Sequence, residues 1–143
     1  MADVHEPSVR SYNMRKIKGK DTKPEMIVRK YLFSNGYRYR LHDKKLPGKP
    51  DIVLKKHNVV IFVHGCFWHK HKNCKYFVIP KTRTDWWLEK INRNVNNDVR
   101  HQNELKLLGW RIITIWECQL KPKNRKETLE SLLKSIENGP DKA

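Results

Sequence analysis

The stretch VVIFVH at residues 59–64 constrains the fold most, because its first five positions are all apolar. A strand with one wet face alternates apolar and polar residues, whereas a continuous apolar strand predicts a sheet covered on both faces. WRIITIWE at residues 110–117 predicts a second buried strand of this kind. Such strands require helices on both sides of the sheet.

One helix is predicted by clear start and stop signals in the segment DTKPEMIVRKYLFSNG. Thr22 and Glu25 have the spacing of a capping box, and Pro24 suits a first helical turn. Asn35-Gly36 predicts the end of the helix.

The remaining segments complete an α-β-β-β-α-β-α order. YRYRLH and DIVL predict short strands, and KKHN predicts the turn before VVIFVH. A long helix is expected from a cap at Thr84 to Gly109, and KETLESLLKSIE predicts a closing helix. This order predicts an α/β domain with a central mixed sheet flanked by helices. We expect a basic N-terminal arm at 1–20, one domain at 21–138 and a disordered tail at 139–143.

The charge of the chain predicts a polyanionic partner. Lys and Arg number 31 against 15 Asp and Glu, giving a net charge of +16. Such a basic balance favours nucleic acid. An anionic membrane is disfavoured, because no basic helix has a continuous apolar face. The sequence has no signal-peptide or transmembrane pattern, so we expect an intracellular protein.

The stretch VHGCFWHKHKNC at residues 63–74 predicts a metal centre. An odd number of cysteines argues against a secreted disulfide scaffold. Cys66, His71, Cys74 and Cys118 would give Zn²⁺ a closed set of four ligands. His69 is the competing histidine, and free thiols with solvated histidines are the simpler alternative.

A second metal site is predicted where two strands meet. In a hairpin, Asp51 at the start of one strand lies at the same edge as His64 at the end of the next. A carboxylate there is a plausible Mg²⁺ ligand. Glu25, His64 and His69 would complete the site as water ligand, charge stabiliser and general base. Taken singly, Asp51 is explained as a turn cap, His64 as a satisfied histidine and Glu25 as half of a capping box.

Several aromatic residues are candidates for contact with bases. Phe67 and Trp68 follow Cys66, and Trp86-Trp87 opens the long helix. Inserted side chains separate base steps, and a mismatched step yields more easily. We predict this role for Trp68. The other interpretation is core packing, which we expect for Trp86, Trp110 and Trp116.

From about Tyr12 to Leu120, the chain resembles the very short patch repair endonuclease family. The resemblance is carried by IKGKDTKPEMIVRKYLFSNGYRYRLHDKKLPGKPDIVL, VIFVHGCFWHKHKNC, KTRTDWWLEKINRNVNND and LGWRIITIWEC. It implies an enzyme that nicks DNA 5′ to the T of a T:G mismatch left by deamination of 5-methylcytosine. It also implies a restriction-endonuclease-like fold, a PD-(D/E)xK variant with a structural zinc.

The resemblance assigns roles to the metal and catalytic residues. Asp51 matches the catalytic ligand of Mg²⁺, with the backbone carbonyl of Val63 as a further ligand. His69 matches the catalytic histidine, while Glu25 and His64 match supporting positions. The zinc ligands match Cys66, His71, Cys74 and Cys118.

The resemblance also assigns residues to DNA. Phe67, Trp68 and Trp87 match aromatics that insert beside the mismatch, and Asn94 and Asp98 match polar positions near the active site or the DNA. Lys20 in the arm and Lys23 in the first helix are expected to contact phosphates, so binding should weaken with salt.

Two features depart from the expected patterns. Phe62-Val63-His64 replaces the ExK of general nucleases, which favours the repair family over restriction enzymes. Within the family pattern, Val63 stands in place of Thr, and the loop between His71 and Cys74 is one residue longer. A backbone carbonyl ligand tolerates Val63, whereas a required hydroxyl would be lost.

Two other functions are considered. A restriction-type endonuclease would cut both strands of matched DNA as a symmetric dimer. A zinc-stabilised DNA-binding module would lack catalysis. For the leading function we expect a cytoplasmic prokaryotic monomer, associated with the nucleoid when bound to DNA. Its partners would include mismatch-repair proteins and a cytosine-5 methyltransferase system.

Overall fold

The elements of the described part of the chain follow one another in the predicted order. A computed structural model describes residues 22–66, 69–71, 74–75, 78 and 80–138. The helices are α1 (Lys23–Ser34), α2 (Thr84–Leu107) and α3 (Pro122–Glu137). The strands are β1 (Arg40–Leu41), β2 (Ile52–Leu54), β3 (Val59–His64) and β4 (Arg111–Trp116). Short 3₁₀ helices span Lys55–His57 and Glu117–Leu120. The predicted arm at 1–20 and tail at 139–143 lie outside the described residues.

The four strands form one mixed sheet in the order β1-β2-β3-β4. The first two pairs are antiparallel, and β3 pairs with β4 in parallel. Ile52 of β2 lies opposite Ile61 of β3, so the start of β2 and the end of β3 share one end of the sheet. The prediction of a central mixed sheet flanked by helices is confirmed.

Both faces of β3 are buried, as its continuous apolar sequence predicts. Val59 and Ile61 belong to one core cluster, and Val60 and Phe62 belong to the other. The first cluster takes its helical residues from α1 and α3, which are Val28, Leu32, Leu129, Leu132 and Ile136. The second takes Leu105 from α2. Each fully buried Leu or Ile stabilises the fold by roughly 1.5–3 kcal/mol relative to its exposed state. Helix α2 therefore covers one face, and α1 with α3 covers the other.

Helix α1 begins and ends as its sequence predicts. The Thr22 hydroxyl accepts a hydrogen bond from the Glu25 N–H at 3.3 Å, and Pro24 lies in the first turn. At the other end, the Asn35 N–H donates to the Tyr31 and Leu32 carbonyls. Gly36 then takes a positive φ of 86°, which suits glycine.

The prediction that Thr84 caps α2 is wrong. Arg83 is the N-cap, with a left-handed backbone (φ 57°), and Thr84 is the first helical residue. The Thr84 hydroxyl donates instead to the Pro80 and Lys81 carbonyls, at 3.0 and 2.9 Å. It closes the preceding turn, and so does not cap the helix.

Three boundaries differ from expectation. Strand β1 has only two residues, since it begins at Arg40 rather than Tyr37 and the left-handed backbone of His42 (φ 49°) ends it. Strand β4 is half-buried rather than fully buried, since it is an edge strand of the sheet. Helix α3 starts at Pro122, four residues before the predicted segment, because proline suits a first helical turn. No helix of the described part is long and apolar enough to span a membrane.

Candidate active site and metal centre

Asp51 and the end of β3 meet, as the predicted hairpin requires. The Asp51 carboxylate Oδ2 accepts a hydrogen bond from the Val63 backbone N–H at 2.7 Å. This bond spans the antiparallel pair β2–β3 just beyond its last paired residues. Asp51 and the backbone of Val63 are thus neighbours at the end of the sheet.

Helix α1 brings a second carboxylate to the same place. Glu25 is only 1% exposed, and its Oε2 lies 2.9 Å from His42 Nε2 and 3.3 Å from Arg29 Nη1. Single ligand atoms of Glu25, His42 and Asp51 all lie within 4.8 Å of one another. Glu25 therefore uses its N–H in the α1 cap while its carboxylate faces Asp51.

Burial makes the Asp51 carboxylate costly to ionise. Loss of solvent raises its pKa from 3.8 to about 6, and the nearby Glu25 also raises it. The Val63 N–H, His42 and His69 lower the Asp51 pKa in part. Two neighbouring carboxylates, one buried and one half-buried, favour a bound cation, and oxygen ligands suit Mg²⁺.

His69 and Asp98 form a close pair beside Asp51. His69 Nδ1 lies 2.6 Å from Asp98 Oδ2, and each side chain is about a quarter exposed. Asp98 projects from the middle of α2. A groove of about 550 Å³ along α2 reaches this pair, and Thr114 and Trp116 of β4 line its other side. The His69–Asp98 pair is open to a ligand from this side.

His64 packs behind this pair and is buried. Its ring stacks on the His69 ring with centroids 3.7 Å apart and planes 5° apart. Burial lowers the His64 pKa to about 4, and the neighbouring His69 lowers it further, while Asp98 raises it. His64 is therefore neutral at neutral pH. Its Nδ1 has no hydrogen-bond partner among the described residues, which differs from the satisfied histidine considered from sequence.

The predicted zinc ligands come together. Single ligand atoms of Cys66, His71, Cys74 and Cys118 lie within 4.8 Å of one another. Cys118 Sγ is 3.4 Å from His71 Nδ1, and the Cys118 N–H donates to Cys66 Sγ at 3.4 Å. His69 is outside this cluster, so the structure favours His71 over the competing histidine.

Burial keeps the thiols of this cluster protonated unless a cation is bound. Burial raises the pKa of Cys66 to about 12 and also raises that of Cys118. Three thiols in contact ionise together only when a cation offsets their charge. Three sulfurs and one imidazole nitrogen are the donor set of a structural Zn²⁺ site.

The exposure of Trp86 differs from the sequence prediction. Trp86 is 45% exposed, so the expectation that it packs in the core is wrong. Arg83 and Lys90 lie over its ring at 4.6 and 5.4 Å, and the Trp87 ring meets it edge-on at 4.8 Å. Adjacent residues in a helix point in different directions, so one of the two must turn outward.

Trp110 and Trp116 also have different surroundings. Trp110 is half-buried against the second core cluster, as expected. The Trp116 ring instead stacks on His71 at 4.1 Å and meets His64 edge-on at 5.2 Å. Trp116 thus contacts both the Cys/His cluster and the active site, so core packing alone does not explain its position.

The other DNA-binding candidates lie on α1 and α2 or outside the described residues. Lys23 is the exposed first residue of α1. Trp87, Asn94 and Asp98 lie along α2, and all three are partly buried. Lys20, Phe67 and Trp68 are outside the described residues.

Known proteins are similar to this chain over nearly its whole length. A family profile described as "DNA mismatch endonuclease Vsr" matches residues 2–75. The chain belongs to the Vsr family. The Type II nicking enzyme V.NmeAIP of Neisseria meningitidis is 48% identical, over 96% of this chain and 99% of that protein. The DNA mismatch endonuclease Vsr of Escherichia coli K12 is 46% identical, over 96% and 86%. The Type II nicking enzyme V.XorIIP of Xanthomonas oryzae is 44% identical, over 95% and 97%.

Membership of the Vsr family confirms two predictions. The chain is a DNA endonuclease, a hydrolase of phosphodiester bonds. Its predicted polyanionic partner is DNA.

Sequence reasoning missed one residue of the candidate site. His42 lies beside Glu25 and Asp51 but was assigned only to the end of a strand. The hairpin register contains the missing signal, since Leu41 pairs with Ile52 and the next residue therefore lies opposite Asp51. The His69–Asp98 pair joins residues 29 positions apart, and no local pattern predicts it.

Proposed function

We propose that this Vsr-family enzyme nicks one strand of duplex DNA on the 5′ side of the T in a T:G mismatch. The observation that carries the proposal is that the Glu25–Asp51 pair of carboxylates lies close enough to the His69–Asp98 pair for His69 to lower the Asp51 pKa. The names of its relatives, a mismatch endonuclease and nicking enzymes, agree with this activity.

The fold we propose is the restriction-endonuclease-like variant of the PD-(D/E)xK core. In its support, Pro50-Asp51 begins the β2–β3 hairpin, and β4 joins β3 in parallel. Helices cover both faces of this sheet. Residues 21–138 form the catalytic domain, preceded by the basic arm and followed by a short tail.

Asp51 and the Val63 backbone carbonyl would hold Mg²⁺. Glu25 faces the same space and would hold a water of the ion. When bound, Mg²⁺ polarises the scissile phosphodiester and stabilises the leaving oxygen. The ion also offsets the cost of ionising buried Asp51, whose pKa of about 6 is high for an aspartate.

His69 acts as the general base. Its Nδ1–H donates to Asp98, which leaves the lone pair on Nε2 to take a proton from the attacking water. The Asp98 carboxylate then stabilises the positive imidazole. Neutral His64 stacks beneath the His69 ring and adds no competing positive charge at neutral pH.

The Cys/His cluster would hold a structural Zn²⁺ that orders the loop carrying His69. The His69 N–H donates to the Gly65 carbonyl, and the His71 N–H donates to the Cys66 carbonyl. The general base thus lies inside a turn whose two flanks are zinc ligands. Fixing these ligands fixes the position of His69.

DNA lies across the basic side, with aromatic side chains at the mismatch. Phe67, Trp68 and Trp87 insert beside the T:G pair, where unstacking costs less than in matched DNA. Lys20 and Lys23 contact phosphates. Asn94 and Asp98 are polar groups of α2 on the DNA-facing side.

The enzyme acts as a monomer, because a nick requires one active site. It works in the cytoplasm of a prokaryote, at the nucleoid when bound. Mismatch-repair proteins and a cytosine-5 methyltransferase system are its functional partners, since methylation followed by deamination generates the T:G substrate.

A nicking assay tests the proposal. The purified zinc-loaded protein is incubated with Mg²⁺ and end-labelled duplexes that carry one T:G mismatch in a panel of flanking contexts. Matched duplexes and the Asp51→Ala variant run alongside. We expect one nick 5′ to the mismatched T, absent from matched DNA and from the variant.

Two other outcomes would support different functions. Cutting of both strands of matched DNA, together with a dimer in gel filtration, would favour a restriction-type endonuclease. Tight binding without cutting in every context, unchanged by Asp51→Ala, would favour a non-catalytic zinc-stabilised DNA-binding module.

A further inference from the structure

A third side chain, the imidazole of His42, faces the two carboxylates of the active site. His42 Nε2 lies 2.9 Å from Glu25 Oε2, and the Asp51 carboxylate is within 4.8 Å of both groups. Atoms that share one metal ion are commonly about 3 Å apart, because each lies about 2 Å from the ion. The His42 imidazole is therefore within reach of an ion held by Asp51.

The backbone holds His42 in this position. Its N–H donates to the Asp51 carbonyl at 3.1 Å, which extends the β1–β2 pairing by one residue. The φ of His42 is 49°, a left-handed conformation that histidine, like asparagine and aspartate, adopts more often than most residues. In this conformation the His42 side chain reaches Glu25.

We infer that His42 is an imidazole ligand of the active-site metal and that the site prefers Mn²⁺ to Mg²⁺. This inference rests on the proposed metal site at Asp51. Mg²⁺ takes oxygen ligands almost exclusively, whereas first-row transition ions bind imidazole well. An imidazole beside the Asp51 carboxylate therefore favours Mn²⁺ over Mg²⁺.

A second group of ligand side chains in the described part suits a metal less well. His64, His69 and Asp98 also offer ligand atoms within 4.8 Å. The two imidazole rings are parallel within 5°, however, and lone pairs in parallel planes do not converge on one ion. His69 Nδ1 is also engaged by Asp98 at 2.6 Å. The imidazole that serves the metal is therefore that of His42.

Electron paramagnetic resonance of free Mn²⁺ tests the inference without using activity. The zinc-loaded full chain is titrated with MnCl₂, and bound Mn²⁺ is then displaced with MgCl₂. In His42→Asn, the side chain is too short to reach the ion but tolerates the left-handed backbone. We expect Mn²⁺ affinity and the Mn²⁺/Mg²⁺ preference each to fall roughly tenfold or more.

Three further variants test whether the effect is specific to the His42 imidazole. His42→Gln keeps the reach but offers an amide oxygen, so the Mn²⁺/Mg²⁺ preference should fall while a ligand remains. His57→Asn removes a histidine at the opposite end of the β2–β3 hairpin, beside Tyr37, and should change nothing. Asp98→Asn should leave Mn²⁺ affinity intact. Circular dichroism and zinc content confirm that each variant folds.

Unchanged Mn²⁺ affinity and metal preference in folded His42→Asn would overturn the inference and leave His42 as an ion-pair partner of Glu25. Loss of Mn²⁺ binding in Asp98→Asn, with His42→Asn unaffected, would overturn it in favour of the other group. A nicking assay that fails in every context would contradict the proposed function instead, and the Mn²⁺ titration would still give its own answer.

Discussion

His69 Nδ1 and Asp98 Oδ2 are 2.6 Å apart, although 29 positions separate the two residues in the chain. A carboxylate in this position fixes the imidazole tautomer and stabilises the charge that develops during proton transfer. It also joins a loop of the Cys/His cluster to the middle of α2.

Asp98→Asn should slow nicking by roughly 10²-fold or more, because His69 loses its negative partner. Single-turnover rates on a T:G duplex measure the effect, and gel shift measures DNA binding, which should change far less. Glu104→Gln alters an exposed carboxylate of the same helix and is the matched control. An unchanged rate in Asp98→Asn would remove Asp98 from the catalytic pair.

Asp51→Asn should stabilise the magnesium-free, zinc-loaded protein at pH 7.5. The pKa of Asp51 is about 6 in the folded chain and 3.8 in the reference state, so the folded state binds the proton more tightly. The stabilisation that protonated Asp51 gives the folded state is complete below pH 3.8 and is lost as the pH rises through 6. The penalty above pH 6 is at most about 3 kcal/mol, since one pKa unit corresponds to about 1.4 kcal/mol.

Denaturant unfolding at pH 7.5 and pH 4.5 measures the Asp51→Asn effect. The variant should gain stability over wild type at pH 7.5 and lose most of that gain at pH 4.5. Asp85→Asn, at an exposed position, is the control. A gain that is equal at both values of pH would mean that ionisation of Asp51 is not its cause.

Cys74→Ser should lower zinc content and stability, whereas His69→Ala should lower neither strongly. The reason is that Cys74 belongs to the ligand cluster and His69 does not. Elemental analysis of purified protein should find about one zinc per chain in wild type and in His69→Ala, because a full set holds one ion. Low zinc in His69→Ala would place that histidine among the ligands.

Trp86→Ala and Trp87→Ala should weaken DNA binding in different ways. Trp86 is exposed beneath Arg83 and Lys90, so its loss should weaken binding of T:G and matched duplexes equally. Loss of Trp87 should weaken binding of the T:G duplex more than binding of matched DNA, by roughly 1–3 kcal/mol for a stacking contact. Fluorescence anisotropy with both duplexes measures this, and equal losses in Trp87→Ala would argue against insertion at the mismatch.

Gly48→Ala should destabilise the fold more than Gly36→Ala. Both glycines have a positive φ, of 75° and 86°. A Cβ on Gly48 would lie 2.9 Å from His101 Cβ, whereas a Cβ on Gly36 meets nothing within 4 Å. The Gly36 variant should lose about 1 kcal/mol and the Gly48 variant a further 1–3 kcal/mol. Equal losses in denaturant unfolding would show that the loop moves away from α2.

Local patterns predict most of the elements because they are strongly periodic or strongly apolar. The run at 59–64 matches β3 residue for residue, and the signals around Thr22 and Asn35 bound α1. The end of β1 at Leu41 could not be predicted, since it depends on the left-handed backbone of His42. The role of Thr84 could not be predicted either, because a hydroxyl at the start of a helix can form hydrogen bonds with the helix or with the turn before it.

The candidate site was predictable where one hairpin carries it. Asp51 and His64 follow from β2 and β3, and the Cys/His cluster follows from ligand types and their number. Glu25 and Asp98 were placed near the site only through the resemblance or as part of a constellation, whereas His42 and the pairing of His69 with Asp98 were not predicted, because they depend on how the layers pack. The exposure of Trp86 depends on how α2 is rotated against the sheet, which a pair of adjacent tryptophans leaves undecided.

The groups of the site belong to two layers that pack through separate core clusters. Glu25 comes from α1, whose Val28 and Leu32 pack on one face of the sheet. Asp98 comes from α2, whose Leu105 packs on the other face. Warming that loosens either layer by a fraction of an ångström would separate these groups while the chain remains folded. On heating, nicking activity should therefore be lost at a lower temperature than the fold. A rise in growth temperature should reduce the activity of the enzyme before it unfolds the chain.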